Sequence, residues 1–369
     1  MRRAAVGSVK AAVLMAATAV LLFLPGSATA GVAKGERFAE PMGDGPADMC
    51  LLSNPCDIED AIEDASVNPG DIINLLPGDY TTLLGPLAPE STPVTIRAQP
   101  GGPRPRIVEN GDVINLQPGD VIRGLYIECT SGSRALSANG STVEQMVIHA
   151  EPPCDRGAEA ADGALIRDSI ITTNFGGAPA VRVNSGGATL AGVTAIGLGM
   201  NSDGIEGVAT TQTIDLLNVI ARGTGTGAGI RAQDDADPDS LVIKADRINH
   251  TTLVEAEPEA DIQLTNGQTT APLFVNAAPA VRDLHQLAGS VTIDAGGTFG
   301  AAGMFDVDGQ VRVMGCAPDI GGDEFSAVCS PTQPPAGGGA TTPTKKKKCK
   351  RKKKRRAAAA KKKCRKKKR

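Results

Sequence analysis

Beyond residue 120, one spacing of apolar residues returns again and again: an anchor, usually a second residue three positions on, and a third at five. It runs through Ile122-Leu125-Ile127, Val143-Met146-Ile148, Ile166-Ser169-Ile171, Leu190-Val193-Ala195, Ile214-Leu217-Val219 and Ile243-Asp246-Ile248. The anchors advance by 21, 23, 24, 24 and 29 residues. A second series, Val181, Ile205 and Ile230, keeps nearly the same step, 24 and 25 residues, in the segments between. Two series sharing one period describe a coil that contains more than one strand, closed by Gly, Asn, Asp and Ser turns. The pattern predicts an all-β right-handed parallel β-helix of about nine coils, a rod about 43 Å long at the usual strand spacing of ~4.8 Å. Leucine-rich repeats need a leucine framework that is absent here. An α-solenoid needs helix-length amphipathic windows, and none follows Ala65. A β-sandwich gives no reason for a triad to recur at a near-constant step.

Before the repeats, Ile58, Ala61, Ile62 and Ala65 fall at helical spacing with acids on the opposite side, which predicts a short amphipathic helix. Asn68-Pro69-Gly70-Asp71 ends it, Ile72 to Leu76 reads as a strand, and Pro77-Gly78-Asp79-Tyr80 as a turn. Residues 31–49 are polar and rich in Gly and Pro, and are expected to form a flexible lead-in, with order beginning near Cys50. Residues 1–30 read as an export signal. Arg2, Arg3 and Lys10 precede the apolar run Ala11 to Leu24, and Ala28-Thr29-Ala30 offers a small-residue cleavage site. That run is short for a membrane span, and no later segment is apolar enough to be one, so no transmembrane segment is expected once the signal is removed. The expected location is secreted or associated with the cell envelope.

Export gives the cysteines a meaning. Cys50 and Cys56, Cys129 and Cys154, and Cys316 and Cys329 are disulfide candidates that fall in local pairs, although spacing leaves the connectivity open; Cys349 and Cys364 lie in the tail. No Trp and only two Tyr occur among 369 residues, so the core must be built from small aliphatics.

Charge then divides the chain. Residues 345–369 hold 14 Lys and five Arg and no acid, including Lys345, Lys346, Lys347, Lys348, Lys350, Arg351, Arg355, Arg356, Arg365 and Arg369. The remaining mature chain carries 16 basic residues against 41 acidic ones. An acidic body argues against specific nucleic-acid binding. The tail, joined by a Pro/Gly/Thr linker at 330–344, lacks aromatic residues for base stacking. It is expected to hold anions by charge density alone, with anionic cell-wall polymers or lipid headgroups as partners.

Two segments carry a resemblance. Cys56-Asp57-Ile58-Glu59-Asp60-Ala61-Ile62 with Pro69-Gly70-Asp71-Ile72-Ile73-Asn74-Leu75 and Pro77-Gly78-Asp79-Tyr80 resembles the opening of secreted bacterial β-helix proteins of the pectin lyase-like superfamily. The resemblance implies that the helix caps the rod. Ala271 to Asn276, Leu284-His285, Ser290, Ile293-Asp294-Ala295-Gly296, Asp306-Val307-Asp308-Gly309 and Asp319 to Phe325 look like the choice-of-anchor Q domain, about 271–326. The usual proline of its Asp-Gly-x-Pro-Arg motif is Val311 here. That likeness implies an exported surface protein without assigned catalysis, its β-helix body spanning 50–329 with the Q-like segment at the far end.

Asn201-Ser202-Asp203-Gly204 resembles the Asn-Thr-Asp-Gly motif of polygalacturonase-type glycosidases, which would pair Asp203 with Asp234 and Asp235 as catalytic carboxyls. The Gly-His-Gly of that family is missing, and Arg247-Ile248-Asn249 matches its basic motif only in part. The same residues also serve as turn formers at a coil corner. Asp306 and Asp308 with Gly309 match part of a calcium loop, so they are the metal candidates and calcium the one cofactor the pattern admits. His149, His250 and His285 sit beside no Ser or Cys nucleophile and read as structural. The resulting expectation is a non-catalytic surface or secreted module binding a glycan or other ligand, held at the envelope by its tail. The alternative is a polysaccharide hydrolase or lyase acting on an acidic glycan.

Overall fold

The computed structural model describes residues 35–82, 85–90, 93–208, 213–233, 241–255, 260–298 and 303–326. The chain winds as a parallel β-helix with three strand faces. A complete coil is shown by Val121–Arg123 on the first face, Tyr126–Cys129 on the second and Arg134–Asn139 on the third. The third face is a seven-stranded parallel sheet, so seven coils carry all three strands among the described residues. From Ala164–Thr173 onward, single strands of nine or ten residues cover both the first and second faces.

Their bend has a local cause. The residue between the two faces takes a left-handed conformation in coil after coil: Gly124, Gln145, Asp168, Gly192, Asn218, Arg247 and Asn266, with φ from 51° to 76°. A left-handed residue reverses the pleat and turns the strand without ending its pairing. On either side, alternate residues point inward. The first face stacks Ile73, Ile96, Ile122, Val143, Ile166, Leu190 and Leu216; the second stacks Ile107, Ile127, Ile148, Ile171, Ala195 and Ala221. All thirteen are fully buried. Each such Ile or Leu contributes about 1.5–3 kcal/mol of burial, and the Cβ-branched shape of Ile and Val fits the pleat.

The repeat register differs from the expected one in two coils. Leu190 lies opposite Leu216, not Ile214; Ile214 does lie opposite Ile243 as expected, but both stand two residues ahead of the positions that continue the ladder, Leu216 and Ala245. The true triads are Leu216-Val219-Ala221 and Ala245-Ile248-His250, and their corners are Asn218 and Arg247. A slip of two residues keeps the same side chains inward, so hydrophobicity alone does not detect it. The second series, Val181, Ile205 and Ile230, is in register as expected.

At the start of the rod, helix Ile58–Glu63 buries Ile58, Ala61 and Ile62, and Asp57 caps it by accepting from the Asp60 N–H at 2.7 Å. Arg37 meets the far end, donating to the Asp60 and Ala61 carbonyls that the helix cannot pair itself. The segment expected as a flexible lead-in is ordered from residue 35. Glu36–Ala39 forms a strand in parallel register with Ile72–Leu75 and buries Ala39 completely. Its alternation is too short, and too dependent on the helix for its partners, to stand out among Gly and Pro. Disulfides join Cys50 to Cys56 and Cys129 to Cys154, and Cys316 is also disulfide-bonded. Cys329, the export signal, the linker and the tail lie outside the described residues.

The 271–326 segment adds no coil to the end of the rod. It forms a short antiparallel pair, Phe274–Asn276 with Asp283–Gln286, and runs back as a strap along the second face and its corner. Leu284 and Val307 pack there on Ile170 and Ile196, outward-facing residues of the coils that the strap buries.

Candidate functional site

The strap is held chiefly by charge and hydrogen bonds. Arg312, buried, donates through Nε to Asp168 at 2.9 Å and through Nη2 to the carbonyls of Gly192 and Gly321, at 3.1 and 2.8 Å. Gly192 leaves room for it, since a Cβ there would stand 2.2 Å from Nη2. Asn218 pairs with Gly297 in both directions, and Gln145 donates to the Asp306 carbonyl. Three of the left-handed corner residues thus carry side-chain contacts to the strap.

Within the strap, buried carboxylates replace secondary structure. Asp319 accepts from the Asp294 and Phe325 N–H groups, Glu324 from Asp319 and Met314, and Asp323 from Gln286. Burial pushes the Asp319 carboxyl up to about 7 and Glu324 up to about 8. Asp306 is spent in the same way: its two oxygens accept from Asp308, Gln310 and Glu324. Asp308, its partner as a metal candidate, instead faces His285, with Oδ2 2.6 Å from Nε2. The other imidazole nitrogen lies 2.6 Å from Asp283, and Asp323 completes a cluster of potential ligand atoms within 4.8 Å of one another. The hydrogen bond to Asp308, above all, pushes the His285 pKa up to about 9.

A second polar group joins the strap to earlier coils. Arg106 and the Tyr126 hydroxyl both donate to Glu128 Oε2, at 2.7 and 3.0 Å, and the Arg106 guanidinium lies 5.2 Å from the Tyr126 ring centroid. His149 packs edge-on against that ring and pairs with Thr172; burial pushes its pKa down to about 3. Arg282 of the strap reaches Glu151 beside it. His149 is 3% exposed, so this neutral imidazole is enclosed and does not face a dissolved polymer.

The third face, the side away from the strap's contacts, carries a different arrangement. Ser137, Glu159, Arg182, Glu206 and Arg231 occupy one outward position in successive coils. Arg134 and Arg156 lie beside them. Arg156 reaches Glu159 at 2.8 Å and Arg134 reaches it at 3.4 Å, while Arg182 lies 3.5 Å from Glu206. The Nε atoms of Arg134, Arg156 and Arg182 are shielded and make no close hydrogen bond, Arg182 Nε lying 3.5 Å from Glu206 and Arg134 Nε 3.8 Å from Asp112. The guanidinium groups themselves stay partly exposed, Arg182 29% and Arg134 26%. The first face differs, for Arg97 Nε donates to Asn74 and Arg167 Nε to Glu144.

Asp203, the catalytic candidate, lies at the edge of this third face, 4% exposed. Its carboxylate accepts from the Ala228 N–H of the next coil and is gripped by Arg231 at 2.7 and 3.2 Å. That is corner capping reinforced by an ion pair, and it occupies both oxygens. Asp234 and Asp235 lie outside the described residues. Sequence reasoning singled out neither the third-face ladder nor the gathering of His285, Asp308 and Asp323. The ladder had a signal: Arg182, Glu206 and Arg231 each follow a residue of the second apolar series, and in a strand the next residue faces outward.

No family model matches the sequence, and neither does any curated protein at the level that would show kinship. Among solved structures the chain is similar to one described as the crystal structure of pectate lyase Pel9A. The identity is 15% over 80% of this chain and 97% of that one, with a TM-score of 0.42. A likeness at that level carries no argument about activity, and the parallel β-helix stands on the strand pairing itself. Among the described residues no helix is long and apolar enough to cross a membrane.

Proposed function

We propose that this chain is an exported, non-catalytic β-helix module that binds a glycan along its third face and is retained at the cell envelope by its Lys/Arg-rich tail. The observation that carries the reading is the ladder of partly exposed charged side chains on successive coils, Glu159, Arg182, Glu206 and Arg231 with Arg134 and Arg156 beside them. Coils repeat at ~4.8 Å, so the face offers donors at regular intervals to a polymer rich in hydroxyl and carbonyl oxygens. The engagement of Asp203 by Ala228 and Arg231 favours binding over catalysis. Assignment of the strap to the choice-of-anchor Q type rests on its motif residues having defined work: Asp306, Asp319, Asp323 and Glu324 cap backbone amides, and Arg312 clamps the strap to the rod.

The test is a glycan array and a turnover screen on the full chain and on Arg182→Ala. The two share one tail, so any difference between them belongs to the body. One glycan class should lose on the order of tenfold or more in binding on Arg182→Ala, the cost of a charged hydrogen-bond donor, with no product formed by either chain. Equal binding by the two chains would sink the third-face reading. Cleaved glycan would return the enzyme alternative.

A further inference from the structure

We propose that His285, Asp308 and Asp323 form a binding site for a zinc-type divalent cation, which pins three separate stretches of the strap to one another. His285 lies on the strand Asp283–Gln286, Asp308 in the turn opened by Asp306, and Asp323 in the loop that returns to Phe325. Their potential ligand atoms all lie within 4.8 Å of one another. Each donor is aimed from behind. Asp283 holds Nδ1 of His285 at 2.6 Å, which leaves Nε2 pointing into the cluster, the carboxylate–imidazole arrangement that orients metal-binding histidines. The Gln286 N–H fixes Asp323 through Oδ2 at 2.6 Å. Arg104 of the rod sits 3.5 Å from Oδ1 of Asp308, on the oxygen away from the histidine.

The donor set selects the cation. One imidazole nitrogen with two carboxylates suits zinc and its first-row neighbours, whereas calcium seeks six to eight oxygens. Ligands about 2.0–2.2 Å from a tetrahedral zinc stand about 3.3 Å apart. The 2.6 Å between Nε2 and Asp308 therefore has to open by less than an ångström, and both side chains are partly exposed. The strap also has reason to need a staple. Its described part holds two short strands and buries little apolar surface of its own against Ile170 and Ile196. Closing loops between residues 285, 308 and 323 with a metal removes chain entropy that so small a core does not offset.

The experiment uses the full chain, freed of any affinity tag and treated with chelator, titrated calorimetrically with Zn2+ alone and with Ca2+ alone. One Zn2+ per chain should bind, with Ca2+ much weaker. Asp283→Asn should weaken Zn2+ binding about 10- to 100-fold, and His285→Ala should abolish it. Hydrogen exchange of the Val307 and Arg312 amides should slow with Zn2+ in the wild type and not in His285→Ala. His285 is exposed enough for that variant to keep the rod's circular dichroism, which serves as the folding control. Absence of stoichiometric Zn2+ binding, or binding untouched by His285→Ala, would overturn the site. Equal Ca2+ affinity would overturn the choice of cation.

Discussion

Rod and strap bury their residues by opposite means. Most inward positions of the rod hold Ile, Val, Leu or Ala, and the same position one coil later usually holds another, so each ladder is stabilised by its neighbours. In the strap the buried positions include Asp306, Asp319, Asp323 and Glu324, each tied to backbone N–H groups. The rod pairs its backbone mainly through strands, with carboxylates such as Asp120 and Asp203 capping amides at its turns. The strap has few strands, and its carboxylates supply the acceptors that a sheet would otherwise provide. A hydrophobic ladder loses a coil's worth of contact when one residue changes. A network of charges and hydrogen bonds loses its hold point by point.

The sharpest way to test that difference is Arg312→Ala. It leaves the Asp168 carboxylate buried beside the Gly303 N–H with no cation, and removing one partner of a buried pair costs about 3–5 kcal/mol. The strap should then exchange its amide hydrogens and be cut by protease while the coils stay protected. Loss of protection in the coils to the same extent would mean that strap and rod unfold as one unit.

The counterpart on the rod is the Cys129–Cys154 disulfide, which joins consecutive coils across a separation of 25 residues. Replacing both cysteines by alanine should cost about 2–4 kcal/mol. The loss should be confined to protection of neighbouring coils, because a solenoid's stability is a sum of local terms. Denaturation followed by residue-resolved exchange separates the cases. A loss below about 1 kcal/mol would mean that stacking alone holds these coils.

The same contrast explains what the sequence could reveal. The coils were legible because a ladder writes itself along the chain at one period. It blurred only where Ile214 and Ile243 offered inward residues two positions from the true Leu216 and Ala245. The strap's motifs were visible, but its place was not. Arg312 meets Gly192 across 120 residues and Gln145 meets Asp306 across 161, and no periodicity links such pairs. His285, Asp308 and Asp323 were invisible as a group for the same reason, since three loops converge only once the strap is laid on the rod. The third-face arginines were readable as outward residues. Their partners were not, because pairing depends on geometry between coils.

Rising pH should loosen the strap and not the rod, the smallest of these effects and the one with a definite sign. Burial holds protons on Asp319 and Glu324 up to about 7 and about 8, whereas in an unfolded chain both acids titrate near ~4. Between those limits the folded strap binds more protons than the unfolded one, so its stability falls as pH rises. His285 acts in the same direction over a later window. Its hydrogen bond to Asp308 raises it to about 9, against ~6.5 when unfolded, and the stability this gives is lost as pH climbs through the higher value. Asp308, lowered by that same hydrogen bond, works against them only in acid, where it would lose its charge. The strap should therefore be tightest near pH ~5 and loosen steadily toward pH ~9. The inward Ile and Leu ladders do not titrate, and the rod's His149 acts in the opposite sense: burial pushes it down to about 3 against ~6.5 unfolded, so the stability it gives is present above ~6.5 and lost as pH falls. Exchange of the Val307 and Arg312 amides, which bond to Gly322 and Met304, reports the strap once corrected for intrinsic chemistry and measured with chelator present. Glu324→Gln should flatten its share of the slope between pH ~5 and ~8 and leave the His285 step in place. Strap protection that stays level or rises across this range would show that the buried carboxylates keep their charge, paid for by the amides that point at them, and the two regions would then differ in architecture but not in their response to protons.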